Sequence, residues 1–260
     1  MPDIIIKDWI DLQSKLFEDA WVEDIKRFRS PYAFRGMALN HEKLSTSLML
    51  TGGNYIKMER HILRNFKKYA HRVITQNDSF WNWISLAKHH GLPTRIIDWS
   101  FSPYVAMHFM TDNILTYNED GVIWAVNFKE VHTMLPSELK DILANEGSDV
   151  FTIDSLSGAL RDFKDFDSLS KDILLLFFEP PSIDERIVNQ YALFSVLSKP
   201  DFFLDEWLRN HPSVYKKFII PAGLKWEIRD KLDQANITER VLFPGLDGLS
   251  MWLRRLYTTR

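Results

Sequence analysis

At 260 residues, 45% hydrophobic and 13% aromatic, the chain carries enough apolar volume for a buried core, which excludes intrinsic disorder. It has no cysteine, which excludes disulfides, thiolate zinc sites and cysteine nucleophiles. A net charge of −3 excludes a protein that coats DNA or an anionic membrane by charge alone. The opening MPDIIIKDWIDLQ holds too short an apolar run for a signal peptide, and no window approaches the roughly 20 apolar residues of a spanning helix. A cytoplasmic protein without a membrane segment is expected.

No repeat, low-complexity tract or Gly/Ser/Pro-rich linker divides the sequence, so residues 1–260 read as one domain, with a helical lead over 1–30 and a helical insertion over 130–172. Residues 8–28 have helical spacing through Trp9, Leu12, Leu16 and Ala20, with Ile25 and Phe28 after a break, and Pro31 ends the run. Residues 32–38 form a strand in which Arg35 shares a face with Ala33 and Met37, opposite Tyr32 and Phe34. Residues 55–73 form an amphipathic helix. Met58, Ile62, Phe66, Tyr69 and Val73 make its apolar face; Lys57, Arg60, Arg64, Lys67, Lys68 and His71 gather opposite. A helix from the Ser79 cap to His90 stops at Gly91, and residues 94–99 form a short strand. Ser102 and Pro103 then open a helix through Thr111, and GVIWAVNF (121–128) is a strand. Further on come a helix at 136–145, helical turns over 151–171 and a buried strand at 173–178. A short helical piece at 184–190, strands at 192–197 and 217–221, a helix at 225–234 and a last helix complete the chain. Strands and helices do not alternate strictly, so the fold class is α+β.

Residues 86–104, LAKHHGLPTRIIDWSFSPY, gather two histidines, an arginine, an aspartate and a Ser-Pro cap where a strand enters a helix. Side chains and free amide donors converge at such junctions. Arg35 lies upstream in YAFRG. Its planar fork holds a phosphate or carboxylate through two parallel hydrogen bonds, and Gly36 would let a ligand approach the backbone; the competing role for Arg35 is an internal ion pair with Asp98. His90 is expected to face the junction, with His89 a surface residue of the helix end. Asp98 could orient Arg95 or His90, or hold a ligand hydroxyl, and Ser100 or Ser102 could contact a ribose. Arg186 and Gln190, four apart, share a helical face. A metal site would join His90, Asp98 and His108, at a spacing that matches no known signature; no metal is expected. Serine-triad, P-loop and Rossmann signatures are missing.

YAFRGMA at Tyr32 and LAKHHGLPTRIIDWSFSPYVAMHF at Leu86 resemble the FRG domain, a family named for its Phe-Arg-Gly. GVIWAVN, RIVNQYALFSV, KFIIPA and VLFPGLDGL follow in the same order. A more distant likeness is to the arginine-serine-glutamate class of ADP-ribosyltransferases, whose sheet is split and flanked by helices. There an aromatic-Arg-Gly strand holds the phosphate side of NAD, a Ser-Thr-Ser strand leads into a helix, and a late strand carries the catalytic Glu. Phe34, Arg35 and Gly36 resemble the first element; Asp98, Trp99 and Ser100, then Val105, Ala106 and Phe109, resemble the second. Gln190 falls where the Glu would be, with Glu185 or Glu179 able to supply the charge in another register. The resemblance implies NAD as co-substrate and catalytic roles for Arg35, Asp98 and Gln190. It places His90, Thr94 and Asp98 along the nicotinamide-ribose pocket, and puts Tyr32, Phe34 or Trp99 against a ring. It also implies a toxin or antiphage effector that modifies RNA, DNA or protein, held in check by an antitoxin or chaperone. The alternatives are a nucleotide-sensing or nucleic-acid-binding module without catalysis, and a metal-dependent hydrolase.

Overall fold

The computed structural model describes residues 3–70 and 79–259. Strand β1 (Ile4–Ile5), helix α1 (Trp9–Phe17), the short strands β2 (Trp21–Val22) and β3 (Arg27–Phe28), and β4 (Tyr32–Met37) open the chain. Helices α2 (Tyr55–Ala70) and α3 (Phe80–His89) lead to β5 (Ile97–Ser100), α4 (Pro103–Met110) and β6 (Gly121–Asn127). Four short helices follow: α5 (Phe128–Thr133), α6 (Ser137–Glu146), α7 (Ile153–Ala159) and α8 (Phe163–Ser168). Then come β7 (Leu175–Phe178), α9 (Glu185–Asn189), β8 (Ala192–Leu197), α10 (Leu204–Asn210) and β9 (Tyr215–Ile220). Helices α11 (Lys225–Gln234), α12 (Glu239–Leu242) and α13 (Leu246–Leu256) close it.

Seven strands form one sheet in the order β1-β9-β6-β4-β5-β8-β7. Among the strands of the described residues β1 and β9 are the one pair that runs parallel, so the sheet is mixed and the α+β class expected from the sequence holds. Alternate side chains divide the core. Ala33, Met37, Trp124, Leu193 and Phe177 pack on one face. Phe34, Ile123, Ala125 and Phe218 meet α1, α4 and α11 on the other. Farther along, Leu176, Phe178, Phe194 and Val196 join α2, α3 and the helices of 137–168 in a third cluster. Burial on both faces explains why GVIWAV and LLFF are continuous apolar runs and not alternating ones.

The helical lead expected over 1–30 is only half right. Helix α1 ends at Phe17, and Trp21–Phe28 is an antiparallel hairpin. The Trp21 and Phe28 rings meet edge-on at 5.1 Å, and Lys26 turns the chain in the left-handed region at φ 50°. Phe28, spaced as a helix continuation, is instead the cross-strand partner of Trp21. On α2 the buried residues are Glu59 and Leu63, while Met58 and Tyr69 of the expected apolar face are exposed. Arg95 causes the rotation: buried ahead of β5, it holds Glu59 through Nε and Nη2 (3.0 and 2.6 Å) and Asp167 of α8 through Nη1 (2.7 Å). A buried guanidinium needs both carboxylates, and it draws the helix round to get one. His71 and Val73 of the expected helix lie outside the described residues.

Gly36 has a packing role that its sequence context does not reveal. A Cβ there would sit 1.8 Å from the Ala106 carbonyl oxygen and 2.9 Å from the Met110 nitrogen, so α4 rests directly on the β4 backbone. Backbone cannot yield as a side-chain tip does. Gly36→Ala is therefore expected to cost about 3 kcal/mol or more of unfolding free energy by chemical denaturation, well above an ordinary overpacking loss.

His132 of α5 ties the helical segment to the sheet. Its Nε2 accepts from the Phe177 N–H (3.0 Å), so Nδ1 carries the proton and donates to the Asp149 carbonyl (2.9 Å). Burial pulls its pKa from 6.5 to about 4. The unfolded chain then takes the proton first; this stability is intact above about pH 6.5 and drains away as pH falls towards 4. His132→Leu should flatten the pH dependence of unfolding across that window by roughly 1.4 kcal/mol per pH unit.

Candidate functional site

A cavity of about 1160 Å³ opens where β4, β5 and β8 lie side by side, walled by α4, the start of α9 and the turn at Phe243–Pro244. Arg35, Asp98, Ser100, His90 and Gln190 all line it, as do Phe34 and Gly36. Residues separated by more than 150 positions meet because β4 pairs with β5, and β5 with β8 in register from Ile97↔Ser195 to Ser100↔Ala192.

Arg35 forms no ion pair with the Asp98 carboxylate. Its Nη1 donates to the Asp98 backbone carbonyl at 2.7 Å, and its buried Nε has no partner. Burial pushes the guanidinium below its ordinary value, opposed by Asp98 and Glu42. The Asp98 carboxylate turns instead to Lys88 Nζ at 2.6 Å. Arg35 thus keeps donor capacity for a ligand.

Ser100 is a fixing residue. Its hydroxyl donates to the Gln190 carbonyl (2.7 Å) and accepts from the Ser102 N–H (2.9 Å), while Ser102 caps α4. Gln190 ends α9, and Tyr191, at φ 47°, turns the chain into β8. The Gln190 side-chain nitrogen donates to the Leu242 carbonyl (2.9 Å), so part of its donor capacity secures the C-terminal helices.

Several expected members stand elsewhere. Thr94 lies ahead of β5 and is fully buried, its N–H donating to Ser47 Oγ (3.1 Å), and it does not line the cavity. Phe34 reaches the wall but is 1% exposed, its ring in the core beneath α4. Trp99 reaches the wall but is buried, with Nε1 donating to Ser195 Oγ (2.8 Å), and Tyr32, whose hydroxyl bonds Asp19 (2.9 Å), does not line the cavity. Arg95, spent on Glu59 and Asp167, cannot be oriented by Asp98. His108 is separate from His90 and Asp98: it is buried against Arg229 (2.9 Å), and burial with that charge pulls it down to about 3. Among the described residues no group of three His, Asp or Glu is placed to hold a metal ion.

The cavity also holds His89, Glu42, Asp112, Phe243 and Asp247, to which the sequence gives no role in it, beside Phe109, Glu185 and Arg186, which it does single out. His89, read as a surface residue, has a side chain only 8% exposed, with Nε2 2.6 Å from Asp184 Oδ2. Phe109 and Phe243 face each other edge-on at 6.1 Å, and Arg186 lies 4.9 Å over the Phe243 ring. Phe109 was legible: it stands one turn beyond Val105 on the same face of α4. Asp112, which burial raises to about 6, and Glu42, Glu185 and Asp247 add carboxylates. Six carboxylates against three Lys/Arg means that bulk charge does not attract an anion here. Single cations act locally, and the acids suit ligand hydroxyls.

Residues 30–119 match the sequence model of the FRG domain, which takes in Arg35 and the whole 86–104 segment. No curated protein and no solved structure matches the chain.

Because Ser100 joins β5, α4 and α9 through one oxygen, Ser100→Ala should cost roughly 1–3 kcal/mol of stability. Hydrogen exchange should show earlier opening at Gln190 and Tyr191; unchanged protection there would refute the fixing role.

Proposed function

This chain carries an FRG domain, and on that premise we propose that it is an ADP-ribosyltransferase-like effector that binds NAD in the cavity and passes ADP-ribose to a macromolecule. One observation carries the reading. The three strands bearing the motifs, with Arg35, with Asp98 and Ser100, and preceded by Gln190, are neighbours in the sheet and open onto one cavity.

The lining fits a dinucleotide in size and chemistry. Arg35 has a buried, unpartnered Nε beside its carbonyl contact, which suits a pyrophosphate oxygen. Phe109 and Phe243 offer ring surface, in place of Tyr32 and Trp99. Cleaving the nicotinamide–ribose bond builds positive charge on the ribose, which a carboxylate stabilises and a neutral Gln190 does not. Glu185 lines the cavity and can supply that charge; Glu179 does not line it. The acceptor is RNA, DNA or protein in the cytoplasm, and an antitoxin or chaperone is the fitting restraint on such an activity. The Gln190–Leu242 bond favours one other reading, a nucleotide-sensing module that binds without turnover.

Purified protein mixed with NAD and a panel of RNA, DNA and protein acceptors should release nicotinamide. Arg35→Ala should reduce the release about 10- to 100-fold, the worth of a charge-assisted hydrogen bond. NAD binding without release would favour the sensor. Release undiminished in Arg35→Ala would misplace the site.

A further inference from the structure

His89 and Asp184 form a second arrangement within the cavity, one that its anion- and ribose-binding parts do not require. Asp184 is held rigidly because its two carboxylate oxygens are divided. Oδ1 caps α9 by accepting from the Ile187 N–H (3.2 Å), which leaves Oδ2 for His89 Nε2 at 2.6 Å. In the neutral imidazole the proton therefore resides on Nε2, donated to Asp184, and the Nδ1 lone pair is unused. The ring is only 8% exposed, lies edge-on to His90 at 5.2 Å and forms part of the cavity wall. A tie between α3 and α9 needs only the bond to Asp184. A carboxylate fixed by a helix cap, an imidazole held in one tautomer and a second nitrogen left free on a residue of the cavity wall make an oriented base.

We propose that His89, oriented by Asp184, is the proton-accepting base of this cavity. Resting on the transferase reading, the proposal also narrows the acceptor to a group that must lose a proton, such as a hydroxyl. In the step, His89 Nδ1 takes the acceptor O–H proton as that oxygen forms a bond to the ribose C1′. The C1′–N bond breaks with its electron pair going to nicotinamide, which leaves neutral, and the imidazolium returns its proton to water. Arg35, Glu42, Lys88, His90, Asp98, Asp112, Glu185, Arg186 and Asp247 are the other charged or titratable residues of the cavity wall, so the test must isolate His89 from them.

Ring ¹⁵N NMR with each histidine assigned by substitution reads the tautomer without any turnover. The expected result is a neutral His89 protonated on Nε2 in the wild type, with that preference lost in Asp184→Asn. A neutral His89 protonated on Nδ1, or a tautomer indifferent to Asp184→Asn, would overturn the proposal. In the nicotinamide-release assay, His89→Ala should slow transfer about 10²- to 10⁴-fold while calorimetric NAD binding persists. Asp184→Asn should move the acidic limb of the pH–rate profile to lower pH, which a purely structural tie would not do. Full transfer by His89→Ala with an unmoved profile also overturns it. A wild type that releases no nicotinamide defeats the transferase reading instead, and the tautomer then decides the dyad by itself.

Discussion

Everything distinctive about the cavity depends on what Arg35 is bonded to. Its Nη1 meets the Asp98 carbonyl, a dipole, while the Asp98 carboxylate is taken by Lys88. Had that carboxylate closed on Arg35, the guanidinium would be neutralised and the cleft would lose its best-placed donor. A backbone carbonyl orients the fork without cancelling its charge, so the residue is positioned by the sheet and stays available.

The walls follow from constraints on either side of that contact. Gly36 lets α4 rest on the β4 backbone, and this places Val105 and Phe109 above the cavity. Ser100 joins the end of β5 to the end of α9. The far wall rests on a buried charged cluster. Arg255 bonds Glu239 and Asp233, while Arg229 bonds His108, Asp233 and the Ile237 carbonyl. That cluster fixes α12, and with it the Leu242 carbonyl that receives Gln190 and the Phe243 ring beneath Arg186. Removing one partner from such a cluster strands a buried charge, typically at about 3–5 kcal/mol. The cavity shape is thus tied to the stability of the C-terminal helices.

Much of the fold was legible in the sequence. Tyr32–Met37, Gly121–Asn127 and the Ser102-capped helix declare themselves by alternation, by continuous apolar runs and by cap chemistry, all local signals. Where the reading failed, a distant partner overrode the local pattern. Arg95 turned α2 so that Glu59 went inward and Met58 outward, and the Trp21–Phe28 contact converted an apparent helix extension into a hairpin. The transferase resemblance implies ligand contacts for Thr94 and Trp99. Thr94 does not line the cavity and bonds Ser47, while Trp99 reaches the wall with its ring nitrogen bonded to Ser195.

The sequence by itself determined that the chain is α+β, that Arg35 stands on a strand facing away from Phe34, and that the 86–104 segment is a strand-to-helix junction rich in functional groups. These depend on period, capping and residue chemistry, which act over a few positions. Only the tertiary structure decided which groups share the cavity: that Gln190 and Arg35 both line it, that His89 faces Asp184, that His108 lies apart, and that Gly36 carries a helix on its backbone. Those facts depend on the pairing of β4 with β5 and of β5 with β8, contacts between segments far apart along the chain, to which no local pattern is sensitive.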